Sequence, residues 1–204
     1  MKPTIDQVSC VRQPCKLCYV TRTDTSDWPC TIARSADVLG DGWNLLVIRQ
    51  ACLGIRRFAD FQRTLGIGRN ILAIRLSQLV AEGILVRAEY QQNPVRHEYL
   101  LTQKGREVYP ILAAMAAWGE RWLTGPEGTP LILHHTTCDH DMHAVVTCSE
   151  CAVPIDVRAI RARPGPGFSP DSPDGATAPA GDSHAPAGMQ PAMAVTNVKP
   201  GSKE

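Results

Sequence analysis

The sequence predicts a mainly α fold with a small β-hairpin, of the α+β class, and with a small cysteine-bearing C-terminal extension. Two observations support this prediction. Apolar residues recur at helical spacing from Thr31 to Glu82, and strand-forming residues flank an Asn-Pro turn between Ile84 and Leu101. With 204 residues and 44% hydrophobic side chains, the chain has room for one ordinary domain and a small second unit.

Composition divides the chain into four segments. Residues 1–27 show no periodic apolar face and are predicted to be a flexible leader, and residues 28–124 hold the main domain. Residues 125–162 form the Cys/His extension, and the Pro, Gly and Ala content of residues 163–204 predicts a disordered tail. Residues 28–124 carry 12 Lys and Arg against 8 Asp and Glu, whereas residues 125–204 carry 5 against 9. The main domain is therefore mildly basic, which favours an anionic partner.

No targeting or membrane segment is indicated. Residues 1–19 lack the apolar run of a signal peptide, and the chain contains no stretch of 18 or more apolar residues. The expected location is the cytoplasm, without a membrane partner. Because that compartment keeps thiols reduced, the eight cysteines favour metal binding or redox chemistry over a disulfide framework.

Three helices are predicted before residue 67. Asp41 is placed to cap the second of them, WNLLVIRQACLG, whose apolar side chains lie on most sides, as in a buried central element. The other two show one apolar face each. The predicted inward positions are Ile32, Ala36 and Leu39 in the first helix and Phe58, Phe61 and Leu65 in the third.

A fourth helix is predicted from Arg69 to Glu82, after a short glycine-bearing turn. Its inward side is formed by Leu72, Leu76, Leu79 and Gly83, and its outward side by Asn70, Ile74, Ser77 and Ala81, with Arg69 and Arg75 on the flanks. Two helices joined by a tight turn, the second with small, polar and basic residues outside, have the sequence form of a helix-turn-helix.

A β-hairpin is predicted directly after this helix. Ile84 to Tyr90 and Arg96 to Leu101 are strand-like, and Gln91 to Val95 is the turn between them. A helix-turn-helix followed by a hairpin is a winged helix-turn-helix. In that fold Arg69, Asn70 and Arg75 would enter or border the major groove of DNA, while Arg96 would meet phosphate or the minor groove.

Several segments then carry a family resemblance. CTIARSADVLGDGW, RRFADFQRTLGI, RNILAIRLSQLVAEGIL, NPVRHEYLLTQKG and AAWGERWL occur in the order found in the HxlR family of bacterial winged-helix regulators, which this chain resembles from about Cys30 to Leu123. The resemblance implies a homodimeric regulator of transcription on double-stranded DNA, repressor or activator, with its recognition helix at 69–82 and its wing at 93–96. One departure is Gly68, which lies where many relatives have a Ser-like N-cap.

The resemblance implies that the chain is not an enzyme and has no catalytic residues. It also implies that DNA binding requires no cofactor. The chain is expected to associate with the bacterial nucleoid when it is bound to DNA. The DNA-binding residues that the resemblance and the winged-helix pattern imply are Arg69, Asn70, Ala73, Ile74, Arg75, Ser77 and Arg96.

The segment from Thr102 to Leu123 is predicted to be a helix that Pro110 kinks or locally breaks. It carries more apolar side chains than packing on one small domain requires, which predicts a dimer interface, although packing on its own domain is the alternative. A two-fold dimer would place two recognition helices roughly 34 Å apart on an inverted-repeat operator. The predicted dimerisation residues are Ile111, Leu112, Met115, Trp118 and Trp122.

Cys30 is a candidate redox sensor. It immediately precedes the first helix, where the positive end of the helix dipole favours a thiolate, and some HxlR-type regulators sense oxidants or electrophiles through a cysteine at this place. The alternative is a small buried hydrophobic residue. Cys52 lies in the apolar second helix and is predicted to be an inert core residue.

The extension contains a candidate structural zinc site. Cys148 and Cys151 form a Cys-x-x-Cys pair, and Cys138 and His140 lie about ten residues upstream. His143 could replace His140, and the leader pair Cys15 and Cys18 could compete as the other half of a four-cysteine site. The alternative is free thiols on a weakly folded segment, and the sequence assigns no role to Cys10, Cys15 or Cys18.

The sequence is therefore compatible with three functions. The first is a DNA-binding regulator that responds to a small-molecule or electrophilic effector, or to cysteine modification. The second is a winged-helix module for protein assembly without specific DNA binding. The third, a thiol oxidoreductase on Cys15-x-x-Cys18 or Cys148-x-x-Cys151, is disfavoured because neither pair follows a strand in a βαβ pattern.

Overall fold

The computed structural model of the chain describes Thr25 and residues 28–168. The remainder of the predicted leader, with Cys10, Cys15 and Cys18, and the predicted tail from residue 169 onward lie outside the described residues. In chain order the elements are α1 (Thr31–Leu39), α2 (Gly42–Cys52), α3 (Phe58–Leu65), α4 (Arg69–Ala81), β1 (Leu85–Gln92), β2 (Val95–Leu101), α5 (Gln103–Arg106), α6 (Tyr109–Leu123), β3 (Leu133–His135) and β4 (His140–Met142). None of the described helices has the length and apolar character that crossing a membrane requires.

The hydrophobic core lies between α2, α3 and α4 and is closed by the start of β1. The sequence correctly predicted that α2 is central and that α3 and α4 each turn one apolar face inward, since Phe61 is fully buried and Phe58 and Leu65 pack against the core. Burial of such side chains is the main favourable term in folding, about 1.5–3 kcal/mol for each large residue. The fully buried large side chains are Val47, Ile48, Phe61, Leu72, Leu76, Leu79, Ile84 and Leu85.

The first helix turns a different face inward from the predicted one. Ile32 is 78% exposed and Ala36 is exposed, whereas Val38 and Leu39 pack against the core. The prediction was therefore wrong for Ile32 and Ala36. The reason is that α1 contacts the core mainly through its last turn, so helical spacing alone did not identify the buried side. Thr25, within the predicted leader, donates from Oγ1 to Asp37 Oδ2 at 2.7 Å and so joins α1.

The wing is a two-stranded antiparallel hairpin whose turn is shorter than predicted. β1 extends to Gln92, which pairs with Val95, so only Asn93 and Pro94 form the turn in place of the predicted Gln91–Val95. The chain before α3 also joins this sheet, because Tyr99 N–H donates to Arg56 C=O at 2.8 Å. No pattern in the sequence indicated this third, very short strand segment.

The predicted C-terminal helix is divided at Glu107 and Val108 into α5 and α6. Pro110 lies in the first turn of α6, where its missing N–H has no helical acceptor and removes no hydrogen bond. The break that Pro110 predicted is thus present, but on its N-terminal side. Thr102 caps α5 as predicted, since its Oγ1 accepts from Gly105 N–H at 3.1 Å.

The Cys/His extension follows α6 as mostly exposed chain. β3 pairs antiparallel with β4, with Leu133 opposite Met142, and an isolated bridge joins Thr147 to Pro154. His143 Nδ1 lies 2.9 Å from Glu120 Oε2 and connects the extension to α6.

Candidate nucleic-acid interface

The outer face of α4 is free of contacts with the core. Leu72, Leu76 and Leu79 are fully buried beneath the helix. On the opposite side Ile74 is 55% exposed. The other exposed residues of α4 that were predicted to contact DNA are Arg69, Asn70, Ala73 and Ser77. The structure thus brings together on one surface five of the six DNA-binding residues predicted for this helix.

Both helix ends are fixed by local structure. At the start, the Arg69 guanidinium lies 5.6 Å from the centroid of the Phe58 ring, and Gly68 provides the N-cap without a side-chain hydrogen bond. At the end, Gly83 has a φ of 67°, a left-handed conformation that glycine adopts without a steric penalty. Gly83 N–H donates to Val80 C=O at 3.0 Å and Ile84 N–H to Leu79 C=O at 2.9 Å, the pattern of a Schellman motif.

A second set of residues holds this helix end from outside. Thr102 Oγ1 donates to Gly83 C=O at 2.6 Å, Thr102 N–H donates to Ile84 C=O at 3.1 Å, and Lys104 Nζ donates to Glu82 C=O at 2.7 Å. A Cβ added to Gly105 would lie far closer to Ile84 O than the 3.0 Å below which such contacts essentially never occur. We refer to these interactions as the α4–α5 contact. The sequence had identified Thr102 only as an N-cap.

Arg75 differs from the other predicted contacts. Its Nη2 lies 2.7 Å from Asp41 Oδ2, with only 24% and 22% of the two side chains exposed, and its Nη1 donates to Gln78 Oε1 at 2.9 Å. Arg75 Nε is buried without a partner among the described residues. The structure therefore places Arg75 on the flank, as predicted, but its charge is paired with the N-cap residue of α2. This ion pair joins α4 to the start of α2.

The wing presents exposed arginines. Arg96 is exposed opposite Gln91, one position from the turn. Arg87 on β1 is also exposed and has its Nη2 3.0 Å from His97 Nδ1. Arg57 lies 4.6 Å from the Tyr90 ring centroid. Arg57 and Arg87 were not among the predicted contacts, and the structure adds them to the exposed arginines near Arg96 only by their position before α3 and on β1.

One side of α6 is apolar and uncovered. Ile111 and Met115 are each 48% exposed, Trp118 is 59% and Trp122 is 63% exposed. These four residues recur at helical spacing, and we call them the α6 stripe. Leu112 was predicted with them, but it packs against the core of its own domain, because it lies about 100° around the helix from Ile111. The prediction for Leu112 is therefore corrected.

Cys30 is the N-cap residue of α1. Its Sγ accepts from Ala33 N–H at 3.5 Å, and the residue is half-buried. Cys52 is also half-buried, and burial raises the pKa of its thiol, in keeping with its predicted role as a core residue.

The predicted zinc ligands lie in two separate pairs. Cys138 Sγ lies 3.2 Å from His135 Nδ1, whereas His140 Nδ1 contacts the Cys138 carbonyl. Hydrogen bonds from the backbone of Cys151 and of Glu150, and from the Cys151 side chain, lower the pKa of Cys148. Within residues 28–168, no three His, Cys, Asp or Glu side chains come together to hold a metal ion. As arranged, Cys138, His140, Cys148 and Cys151 do not fit a four-ligand zinc site.

Comparison with known proteins gives matches to one family. The sequence profile of the HxlR-like helix-turn-helix family matches residues 38–127. The HTH-type transcriptional regulator Rv3095 of Mycobacterium tuberculosis is 38% identical over 138 residues, which are 68% of this chain and 87% of that protein.

Two solved structures resemble more than two thirds of the chain. PA1607, a candidate transcription factor, has a TM-score of 0.64 and 33% identity, and the match covers 69% of this chain and 99% of PA1607. PA1374 of Pseudomonas aeruginosa has a TM-score of 0.51 and 33% identity, and the match covers 71% of this chain and 99% of PA1374. These matches are longer than the family profile, so the similarity continues outside residues 38–127. Together with the helix-turn-helix and the wing, they show that this chain belongs to the HxlR-like family of helix-turn-helix transcriptional regulators.

Proposed function

We propose that this regulator binds an inverted-repeat operator sequence-specifically as a homodimer. The observation that carries the proposal is the outer face of α4, where Asn70, Ala73, Ile74 and Ser77 are exposed directly opposite the buried leucines. An α-helix fits the major groove of B-DNA, where every base pair presents a distinct pattern of donors, acceptors and methyl groups.

The side chains on this face suit different parts of a base pair. Asn70 carries both a donor and an acceptor and can pair with adenine N6 and N7, while Ala73 and Ile74 offer apolar contact to a thymine methyl group. Arg69 adds a charge at the start of the helix. Arg96 on the wing is exposed and free to reach phosphate, which contributes affinity without reading sequence.

The α6 stripe supports the homodimer. Two tryptophans more than half exposed on one helix are unusual for the surface of a monomer, and contiguous apolar patches of this kind mark interaction sites. Because most homo-oligomers are two-fold dimers, a second copy of the stripe is its proposed partner. The resulting two recognition helices would read two half-sites about one DNA turn apart.

The test is fluorescence anisotropy of the reduced full-length protein, titrated with salt, on its own upstream DNA and on a scrambled duplex. Asn70→Ala is expected to reduce the preference for the upstream duplex over the scrambled one by roughly 1–3 kcal/mol. Arg96→Ala is expected to lower the affinity for both duplexes and to reduce the slope of log K against log salt concentration by about one. Arg158→Ala removes an exposed cation from the extension and is the matched control. Equal, weak and salt-sensitive binding to both duplexes by the unaltered chain would refute specific DNA recognition and favour the protein-assembly module.

We also propose that Cys30 mediates a response to oxidants or electrophiles. The Cys30 thiol is half-buried at the N-cap of α1, and its Sγ accepts from Ala33 N–H at 3.5 Å, so a reagent bound to this sulfur would lie directly against the first turn of the helix. Modification there would disturb the N-cap of a helix that carries both Val38 and Leu39 into contact with the core. The chemical change at Cys30 would thereby reach the DNA-binding domain.

Structural zinc in the extension stays a prediction from cysteine spacing. Binding would require the Cys138 and Cys148 pairs to meet in an arrangement other than the one described. Metal analysis of the purified chain tests it, with one zinc per chain expected and its loss expected on Cys148→Ser with Cys151→Ser. The zinc prediction would be refuted by protein that is purified from cells grown with added zinc and is folded but contains no metal.

A further inference from the structure

An open cavity of about 430 Å³ lies between α1 and the junction of α4, β1 and α5. One face of α1 lines it with residues four positions apart, Arg34 and Val38, and the other wall comes from Ile84 and Lys104. The volume lies within the roughly 300–1,000 Å³ that is common for small-molecule sites. This is the side of α1 that the sequence did not predict to face inward.

The lining has two chemically different parts. Val38, Leu39, Ile84 and Val108 supply apolar side chains, and Ile84 and Val108 belong to the buried core. Arg34 and Lys104 add two exposed cationic side chains, and none of the described residues that line the cavity is acidic. An apolar body with one anionic group is therefore the complementary ligand, because such a molecule covers the apolar wall and pairs its charge with both cations.

One of these cations also holds the end of α4. Lys104 Nζ donates to Glu82 C=O at 2.7 Å, and Glu82 is the C-cap residue of α4. A ligand carboxylate is a stronger acceptor for an ammonium group than a backbone carbonyl is. An anion in the cavity would therefore compete for Lys104 and weaken the α4–α5 contact next to the DNA-reading helix.

We propose that this cavity binds a small amphipathic organic anion, such as an aromatic carboxylate, and that the bound anion lowers DNA affinity by drawing Lys104 away from Glu82. The second half of this proposal rests on the proposed function, since it assumes that α4 reads DNA. By linkage, DNA must then lower the affinity for the anion by the same factor.

The probe is 2-naphthoate, with 2-naphthamide as an uncharged molecule of the same shape. Isothermal titration of the full-length protein is expected to give saturable binding of the naphthoate, with the amide at least about tenfold weaker because it lacks the charge. Arg34→Gln and Lys104→Gln should each weaken naphthoate binding about fivefold or more. Arg49→Gln removes an exposed cation from the neighbouring α2, outside the cavity, and should bind like the unaltered protein.

A second readout locates the ligand. In NMR spectra, the amide resonances of Ile84 and Val108 should shift when naphthoate is added. Ser35→Trp places a large ring at the exposed rim of the cavity and should abolish both these shifts and the heat of binding. Circular dichroism establishes that each variant is folded. Absence of saturable binding, or binding by Arg34→Gln and Lys104→Gln that is as tight as that of the unaltered protein, would overturn the site.

DNA binding is measured separately with and without saturating naphthoate. A several-fold rise in the operator Kd for the unaltered chain, absent in Lys104→Gln, is the expected result, and an unchanged Kd would overturn the coupling. If the ligand-free chain fails to prefer its operator, the proposed function fails, while titration still decides whether the cavity binds the anion.

Discussion

Replacement of Gly105 by alanine tests whether the α4–α5 contact holds the proposed recognition helix. The added Cβ would overlap Ile84 O and lie 2.9 Å from Leu101 Cδ2. To restore an ordinary C···O distance of roughly 3.3 Å, the backbone of one of the two segments must move by about 1 Å. That carbonyl accepts from Thr102 N–H at 3.1 Å and shares the Thr102 Oγ1 proton with Gly83 C=O, at 3.2 Å from Oγ1, so the movement weakens both interactions.

The expected loss of unfolding free energy can be worked out from these contacts. Overpacking costs typically 1–3 kcal/mol, and two weakened hydrogen bonds add about 0.5–1.5 kcal/mol each. The higher helix propensity of alanine offsets up to about 1 kcal/mol of this loss of unfolding free energy. The net loss is about 3 kcal/mol, which lowers the melting temperature of a domain of this size by on the order of 10–20 °C.

Urea and thermal unfolding of the full-length variant measure this loss, and operator binding below the melting temperature measures the effect on α4. Gly42→Ala is the control, because a Cβ there meets nothing within 4 Å and should change stability by less than about 1 kcal/mol. A loss for Gly105→Ala no larger than that of the control would refute the assignment of a tight contact between α5 and the end of α4.

Three further predictions concern the other contacts of the domain. Asp41→Ala removes the N-cap of α2 and the partner of Arg75, so urea unfolding should show a loss of about 2 kcal/mol, whereas Asp41→Asn keeps the cap and should lose less. Trp118→Glu places a charge in the α6 stripe and should give a monomer in sedimentation velocity, while Leu131→Glu in the extension should leave the dimer intact; a dimer in both would contradict the interface. Cys30→Ser should bind the operator normally but not respond to diamide, which oxidises two thiols to a disulfide and takes up their two electrons and two protons; an unaltered response would move the sensor to another cysteine.

The elements best predicted from sequence were those whose pattern repeats over several turns. In α4 the spacing of Leu72, Leu76 and Leu79 specified both the buried side and the exposed side. The hairpin was predicted because strand-forming residues surround the Asn-Pro pair, and the cap at Thr102 because a side-chain hydroxyl precedes a helix. Each of these patterns lies within one short segment of the chain, so it predicts the local structure without information about distant residues.

The features that sequence missed depend on residues far apart in the chain. Arg75 was placed on the DNA-facing flank because nothing near it in sequence reveals that Asp41, 34 positions earlier, is its partner. Leu112 was grouped with its exposed neighbours because helical spacing does not identify which side of an apolar helix meets its own core. Likewise, the importance of Gly105 follows only from the approach of Ile84.

The short linker between α5 and α6 has a mechanical consequence. Only Glu107 and Val108 separate these helices, and Val108 is 5% exposed within the core, so α6 cannot rotate freely about that joint. Through α5, Lys104 and Thr102 join this anchored segment to the end of α4, since they donate to Glu82 C=O and Gly83 C=O. The exposed tryptophans of α6 are therefore held in a defined position relative to the proposed recognition helix.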